Sequence, residues 1–337
     1  MKVLVTGAGG FIGGYLLEKL LAAGHAVRGL ALDEADATRI RRAGDVDVAF
    51  GDIRDIESLR SALEGTDAVF HLAARVSDWG TWPQFEAVSV QGTRNTLQAA
   101  AEAGVGRFLL FSSTAVYPRL AKGAPPLDET APYAGPDNPW GLYGRSKILA
   151  EQEALRYQRE RRLGVTIIRP VSVYGPGDHT FFPRIIRYLR GPTAAWVGDY
   201  DPLVPFLYVT DAAEGALAAG TSERAIGQVY TLGPQREFHM REFIGAICHE
   251  LDIRPPRFSA PYAVASAVAR LSEGWARLVR AREPPSLTRT SVFIMTQDQR
   301  YDVSKAQREL AWQSQVSMEE GVRLTAQWVR SAGLLRS

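Results

Sequence analysis

The chain predicts a doubly wound parallel α/β sheet followed by a smaller, mainly helical lobe. Three observations carry that expectation. Short apolar runs bounded by turns alternate with helical patterns through the first half. The first run ends in a cluster of glycines where a helix begins. Beyond residue 170 the alternation gives way to prolines and glycines, then to helix.

The elements follow in order. Val3–Thr6 reads as a strand and Gly9–Ala23 as the helix after it. Ala26–Leu32 and Val46–Phe50 are the next apolar runs, and Ser58–Leu63 is a short helix. Ala68–Leu72 is a strand, and Phe85–Ala103 a long helix with Leu97, Ala100 and Ala101 inward. Phe108–Ser112 and Val165–Arg169 are strands on either side of a helix at Tyr143–Arg162. Two later runs, Phe206–Val209 and Gln228–Leu232, read as additions to the sheet. The pattern assigns 1–170, with the strands near 206–232, to a nucleotide-binding domain of Rossmann type. Residues 171–205 and 233–337 form a substrate lobe that closes over the ligand.

Composition narrows the function. Lys and Arg number 39 against 37 Asp and Glu, so charge gives no reason to expect a nucleic-acid partner. Cys248 is the single cysteine, which excludes an intrachain disulfide and a cysteine-based metal cluster. No metal site is expected. The apolar run after Met1 covers only Val3–Val5, too short for a signal-peptide core, and no stretch is apolar enough to span a bilayer. A cytoplasmic location is expected. The stretch 261–282 is amphipathic, with Arg270, Arg277, Arg280 and Arg282. It reads as a lobe helix with a solvated basic face, the other reading being contact with lipid.

Residues 3–21 place Gly7, Gly10 and Gly13 at the first strand–helix junction. Gly7 suits a tight turn, Gly10 lets backbone approach a pyrophosphate, and Gly13 lets helix pack on strand. The helix start then offers free N–H groups to phosphate. Past the second strand, Asp33, Glu34 and Asp36 suit ribose hydroxyls and favour NAD over NADP. Arg39, Arg41 and Arg42 stand within reach of the same place, and the acids also suit a solvated loop.

Tyr143 precedes Lys147 by one helical turn. A fixed cation favours phenolate and lowers a tyrosine's pKa, so the pair suits proton transfer. The same spacing also arises on ordinary helix surfaces.

Together these motifs resemble the extended short-chain dehydrogenase/reductase family, along almost the whole chain. The matching stretches are TGAGGFIG (6–13), GDIRD (51–55), VFHLAA (69–74), FSSTAVY (111–117), YGRSK (143–147), IIRPVSVYGPGD (167–178) and FLYVTDAAEGAL (206–217). The resemblance implies NAD or NADP held by Gly7, Gly10, Phe11, Ile12, Gly13 and Asp33. Asp52 and Ile53 would lie at the adenine. Leu72, Ala73, Ala74, Ser112, Lys147, Pro170 and Ser172 would complete the cofactor site. It implies Tyr143 as acid/base, Lys147 as the cation that tunes it, and Ser113 as the hydroxyl that polarises the substrate oxygen, with Thr114 as its alternate. It also implies a homodimer through the helices at 85–103 and 143–162. One departure is Ser89, where the family often carries an asparagine that holds a helix bend or proton path.

Within that family, dehydratases follow the catalytic hydroxyl with Asp-Glu, whereas this chain has Thr114-Ala115. Sugar-nucleotide members usually have Asn where Ser172 stands, and Arg where Val204-Pro205 stand. Trp79, Trp82, Phe85, His179, Phe181 and Phe182 are expected at the substrate edge, where they suit an apolar or ring-bearing molecule or pack the lobe interface. Residues 283–312 resemble the tail of the 3β-hydroxysteroid dehydrogenase-like branch. The resemblance therefore implies an NAD(P)-dependent oxidoreductase acting on a secondary alcohol or ketone of a small hydrophobic molecule. A nucleotide-sugar epimerase is the alternative, and a non-catalytic nucleotide sensor the third reading.

Overall fold

The computed structural model describes residues 1–335 except 122, 161, 193 and 282. Its centre is a seven-stranded sheet. In chain order the first half gives β1 (Lys2–Thr6), α1 (Phe11–Ala22), β2 (Ala26–Ala31), α2 (Glu34–Arg41), β3 (Asp47–Phe50), α3 (Ile56–Ala62) and β4 (Ala68–His71). Then come α4 (Trp82–Phe85), α5 (Gly92–Glu102), β5 (Arg107–Phe111), α6 (Gly141–Arg159) and β6 (Gly164–Pro170). β7 (Ser172–Tyr174), α7 (Phe182–Arg190), β8 (Trp196–Val197), β9 (Leu203–Val204), β10 (Phe206–Tyr208), α8 (Val209–Thr221) and β11 (Val229–Leu232) follow. The sheet order is β11-β6-β5-β4-β1-β2-β3. Every pairing in it is parallel.

Parallel strands demand crossovers on both faces, so the inner strands are mostly apolar on both sides, with polar residues at their ends and in the outer β2 and β3. Val3, Leu4, Val5, Val69 and Phe70 are fully buried. One face packs under α1, α2 and α8, and the other under α3, α5 and α6. All strand C-termini therefore meet at one edge, where ligands of such sheets bind.

Two expectations change. Phe206–Tyr208 does not join the main sheet; it pairs in parallel with Ser172–Tyr174. The edge of β6 is already taken by β11, in register Val229 to Ile167. The long helix at 85–103 is interrupted by a π-helical segment at Glu86–Gln91. Ser89 sits there, its carbonyl accepting from Thr93 Oγ1 at 2.7 Å and its hydroxyl from the backbone N–H of Arg75 at 3.0 Å. The bend is thus kept without asparagine.

The remainder gives β12 (Phe238–His239), α9 (Met240–Leu251), β13 (Ser259–Ala260), α10 (Tyr262–Leu278), α11 (Arg289–Thr296), α12 (Ser304–Leu310) and α13 (Met318–Ser331). A second core joins α7, α9, α13 and β10 through Phe182, Phe206, Phe243 and Val322. Ala306 and Trp312, within the stretch expected in the lobe, pack instead in the core of the main sheet.

Candidate active site

The glycine turn is shaped by close approach. Gly7 has φ +70°, and a Cβ there would stand 2.8 Å from the backbone nitrogen of Ala73. A Cβ on Gly13 would overlap the Gly7 carbonyl. Gly10 differs: its φ is −79°, and only the Gly7 oxygen, at 3.1 Å, lies near its Cβ position. The backbone at Gly10 is therefore open to a phosphate at the start of α1, with Phe11 and Ile12 in the first helical turn.

A hydrogen-bond chain holds the facing wall. Ala73 N–H donates to Thr6 Oγ1, and Thr6 Oγ1 bonds His71 Nδ1 at 2.8 Å. His71 Nε2 bonds Thr93 Oγ1 at 2.9 Å. With both hydroxyl protons committed in that direction, the His71 proton sits on Nε2. Burial, with the Lys147 charge nearby, lowers the His71 pKa to about 3. The ring is a neutral strut behind Leu72, Ala73 and Ala74. Sequence reasoning missed it, although a histidine ending an otherwise apolar strand was the signal.

Pro170 ends β6, which pairs with β5 just before Ser112, and Ser172 starts β7 in the separate two-stranded sheet directly after it. Ser112 is buried, and its hydroxyl has no partner among the described residues, a group that a dinucleotide could satisfy. Ile53 packs on Gly92, and its carbonyl accepts from Asn95 Nδ2 at 3.0 Å. Asn95 was not foreseen; a buried amide on a helix's apolar face marks it. The Asp52 carboxylate is bound by Arg54, which lowers its pKa.

The acids after β2 chiefly serve their own helix. Asp33 caps α2, accepting from Asp36 N–H at 2.8 Å. Asp36 accepts from Leu32 N–H and pairs with Arg39 at 2.9 Å. Arg39 reaches back to the glycine turn, its Nε donating to the Gly9 carbonyl at 2.9 Å. This region therefore presents both signs of charge and does not choose between NAD and NADP.

Tyr143, Lys147 and Ser113 come together beyond β5. Ser113 follows the strand, and its hydroxyl caps the short 3₁₀ turn at Thr114–Val116 by accepting from Ala115 N–H. Gly144 lets α6 press on that turn, since a side chain there would meet the Ala115 carbonyl and Asn138. That contact places the Tyr143 phenol beside the Ser113 hydroxyl. Thr114 faces another phenol, the partly buried Tyr301. Ser113 and its alternate Thr114 thereby face different phenols.

Lys147 is buried, and its Nζ donates to the Phe111 carbonyl at 2.7 Å. Its ammonium stands 6.0 Å from the Tyr143 ring centroid. Burial lowers the Lys147 pKa to about 8, opposed by Glu151 one turn on. Glu151 is held by Arg169 at 2.7 Å and by the Tyr133 hydroxyl. The Lys147 cation by itself does not bring the phenol down. Burial raises the Tyr143 pKa, and the Ser113 hydroxyl beside it only partly opposes this. Losing water costs the phenolate more than one cation across the ring returns.

Tyr143 opens onto a cavity of about 450 Å³. Its apolar wall includes Trp140, Phe181, Tyr188, Trp196, Phe206 and Ile294. His179 also lines it, meeting Trp328 edge-on. Of the other expected aromatics only Phe181 does, and Phe85 is buried elsewhere. Phe182 is fully buried and stacks on Tyr174; Phe181, one residue earlier, faces the cavity. A one-residue shift on a helix start turns the side chain by about 100°. Trp79 bonds the Ala281 carbonyl through its indole N–H, and Trp82 stacks on Arg145, so both fasten elements together. Arg184 crosses the cavity wall to Asp78 at 2.7 Å and to Thr288 and Ser291, joining three segments.

A dinucleotide turn beside a hydroxyl, phenol and ammonium cluster defines an NAD(P)-dependent enzyme of the short-chain dehydrogenase/reductase class. The model of the NAD dependent epimerase/dehydratase family matches residues 3–233, and the chain belongs to that family. It is 31% identical over 324 residues to a 4-hydroxy-2-methyl-3-oxo-4-farnesyl-3,4-dihydroquinoline-1-oxide ketoreductase of Stigmatella aurantiaca, covering 96% of this chain and 95% of that one. It is 31% identical to a 3 beta-hydroxysteroid dehydrogenase/Delta 5-->4-isomerase of Mycobacterium tuberculosis, covering 93% and 86%. Among solved structures it superposes on gox2253 with a TM-score of 0.81 and 30% identity, covering 98% of both chains.

Proposed function

We propose that the protein interconverts a secondary alcohol and a ketone on a hydrophobic, ring-bearing small molecule, using NAD(P). The observation that carries this reading is the Ser113–Tyr143 pair opening onto an apolar cavity with Lys147 behind it. The cradle of Gly7, Gly10, Gly13, Ala73 and Ser112 would hold the dinucleotide, which supplies or accepts hydride when bound.

In the reductive direction, Tyr143 gives its phenolic proton to the carbonyl oxygen while Ser113 hydrogen-bonds the same oxygen. In the oxidative direction the phenolate takes that proton back. Lys147 keeps its charge close to the ring and would bind ribose. Lowering a phenol from pKa ~10 toward 7 takes about 4 kcal/mol of preferential stabilisation. Because burial opposes it here, Lys147 shares that load with the positive charge of an oxidised nicotinamide. Thr114, facing Tyr301, takes no part. The cofactor is NAD or NADP, and the assay below compares the two. The helices α5 and α6 would form a homodimer interface, which sizing in solution checks.

The cavity supports the hydrophobic substrate over a sugar nucleotide. Arg184 is committed to Asp78 and Arg190 to the Leu335 carbonyl, which leaves Arg187 of the three without a partner among the described residues. A diphosphate would normally meet more than one such cation. The ketoreductase and hydroxysteroid dehydrogenase names of the two relatives agree with this choice. The test is NADH and NADPH oxidation with cyclic and long-chain ketones beside UDP- and dTDP-sugars. Ketone-dependent oxidation is expected. Epimerised sugar with no net cofactor use, and silence on every ketone, would overturn the reading.

A further inference from the structure

The face that α10 shows to solvent carries more than the basic residues its composition suggests. Its buried side is small or neutralised: Ala265, Ala269 and Ala276 pack inward, and Glu273 is bonded by Arg289. Its large apolar side chains point out. Val264, Val268, Leu271, Trp275 and Leu278 recur at intervals of four and three, forming one stripe. Leu271, Trp275 and Leu278 are 74%, 66% and 75% exposed. Phe258, just before the helix, is 77% exposed. The expected solvated basic face is present, since Arg270, Arg277 and Arg280 are exposed, but the apolar stripe shares the outward side with it. Basic residues border the stripe, with Arg270 and Arg277 along one flank by the 3.6-residue repeat. Arg254, Arg257 and Arg280 are exposed at the helix's ends, and Arg277 also covers Trp79. Arg282 lies outside the described residues.

We propose that α10 lies flat on the surface of an anionic phospholipid bilayer. The apolar stripe enters the headgroup–acyl boundary, and the arginines meet lipid phosphates. At 17 residues the helix is about 26 Å long, and among the described residues no helix is long and apolar enough to cross a membrane. Charge decides the occupant. Among residues 254–281 the one acid, Glu273, is turned inward, so a second copy docked on this face would oppose arginine to arginine. An anionic surface complements it instead. The position adds a consequence that rests on the proposed reaction. Pro256 before the helix and Glu283–Leu287 after it both line the cavity, so its mouth lies beside the bilayer and a lipid-dissolved ketone enters from there.

The test is vesicle flotation of the full chain, with readouts separate from turnover. Vesicles of phosphatidylcholine alone are compared with equal parts phosphatidylcholine and phosphatidylglycerol. The wild type floats with the mixed vesicles and much less with the neutral ones, and salt weakens it. Leu271→Glu with Trp275→Glu lowers bound protein by at least about tenfold. Both side chains are outward, so the melting temperature is retained. Arg270→Glu lowers binding to the mixed vesicles alone. The proposal is overturned if the wild type stays unbound to both vesicles, or if the double variant binds as well as the wild type. Equally, sizing that shows the double variant splitting a lipid-free dimer, with no vesicle binding by the wild type, assigns the face to a second copy.

Discussion

Replacing Lys147 with methionine should stabilise the protein while removing its activity. The ammonium is buried, and its pKa falls from 10.5 to about 8. Each pKa unit corresponds to about 1.4 kcal/mol, so holding the charged form in the fold costs about 3 kcal/mol at pH 7. Methionine keeps most of the aliphatic volume and adapts to its surroundings. It forfeits the bond to the Phe111 carbonyl, a loss of about 1 kcal/mol. The balance is a gain of about 2 kcal/mol, or roughly 3 °C for a chain of this size. The pH dependence is the sharper signature. Between pH 8 and 10.5 the unfolded chain binds a proton at this site that the folded chain does not. Wild-type stability therefore rises with pH through that window, and that of K147M does not. The advantage of K147M is full below about pH 8 and is lost by about 10.5, where the missing Phe111 bond leaves it the less stable of the two. Urea melts followed by circular dichroism across pH 6 to 11 measure it. K147M destabilised at neutral pH, or a gap that ignores pH, would refute the burial cost. Turnover of K147M should fall roughly 10²-fold or more.

Other expectations follow from the same geometry. His71, held neutral with a pKa of about 3, loses stability on acidification from about 6.5 toward 3, because the unfolded chain binds the extra proton there. His71→Gln should flatten that acid limb in pH-dependent melts. Ser113→Ala removes the hydroxyl beside the phenol, so the limb of the pH–rate profile that reports Tyr143 moves to higher pH and kcat drops roughly 10- to 100-fold. Thr114→Val should cost about 1 kcal/mol of stability through Tyr301 and leave the pH profile in place. Gly10→Ala should fold normally yet weaken dinucleotide binding at least about tenfold, by placing a methyl at the phosphate approach. Gly13→Ala should instead lower the melting temperature, since its methyl overlaps the Gly7 carbonyl.

Much of this architecture was legible because it repeats a simple period. Val3–Val5, Val69 and Phe70 declare buried parallel strands by being apolar on both faces, and Gly7 to Gly13 mark a turn that side chains would block. What escaped depends on contacts distant in sequence. No local pattern separates Phe181 from Phe182, because the partner that claims Phe182 is Tyr174 on another element. Thr114 and Ser113 share a chemistry and differ only in what faces them, Tyr301 or Tyr143. The π-helical stretch around Ser89 hides inside an ordinary helical period, since one extra residue per turn leaves composition unchanged. Periodicity showed that α10 has two faces, and only the packing of Ala265 and Ala269 beneath it showed which one is turned out.

The central claim is that the Tyr143 phenol carries the proton while hydride is exchanged. The most direct measurement is single-turnover reduction of a ketone substrate by bound NADH, followed by nicotinamide absorbance, in wild type and Tyr143→Phe. The account predicts cofactor affinity within about twofold and a rate lower by at least about 10³ in the variant. A variant that transfers hydride at the wild-type rate would contradict it.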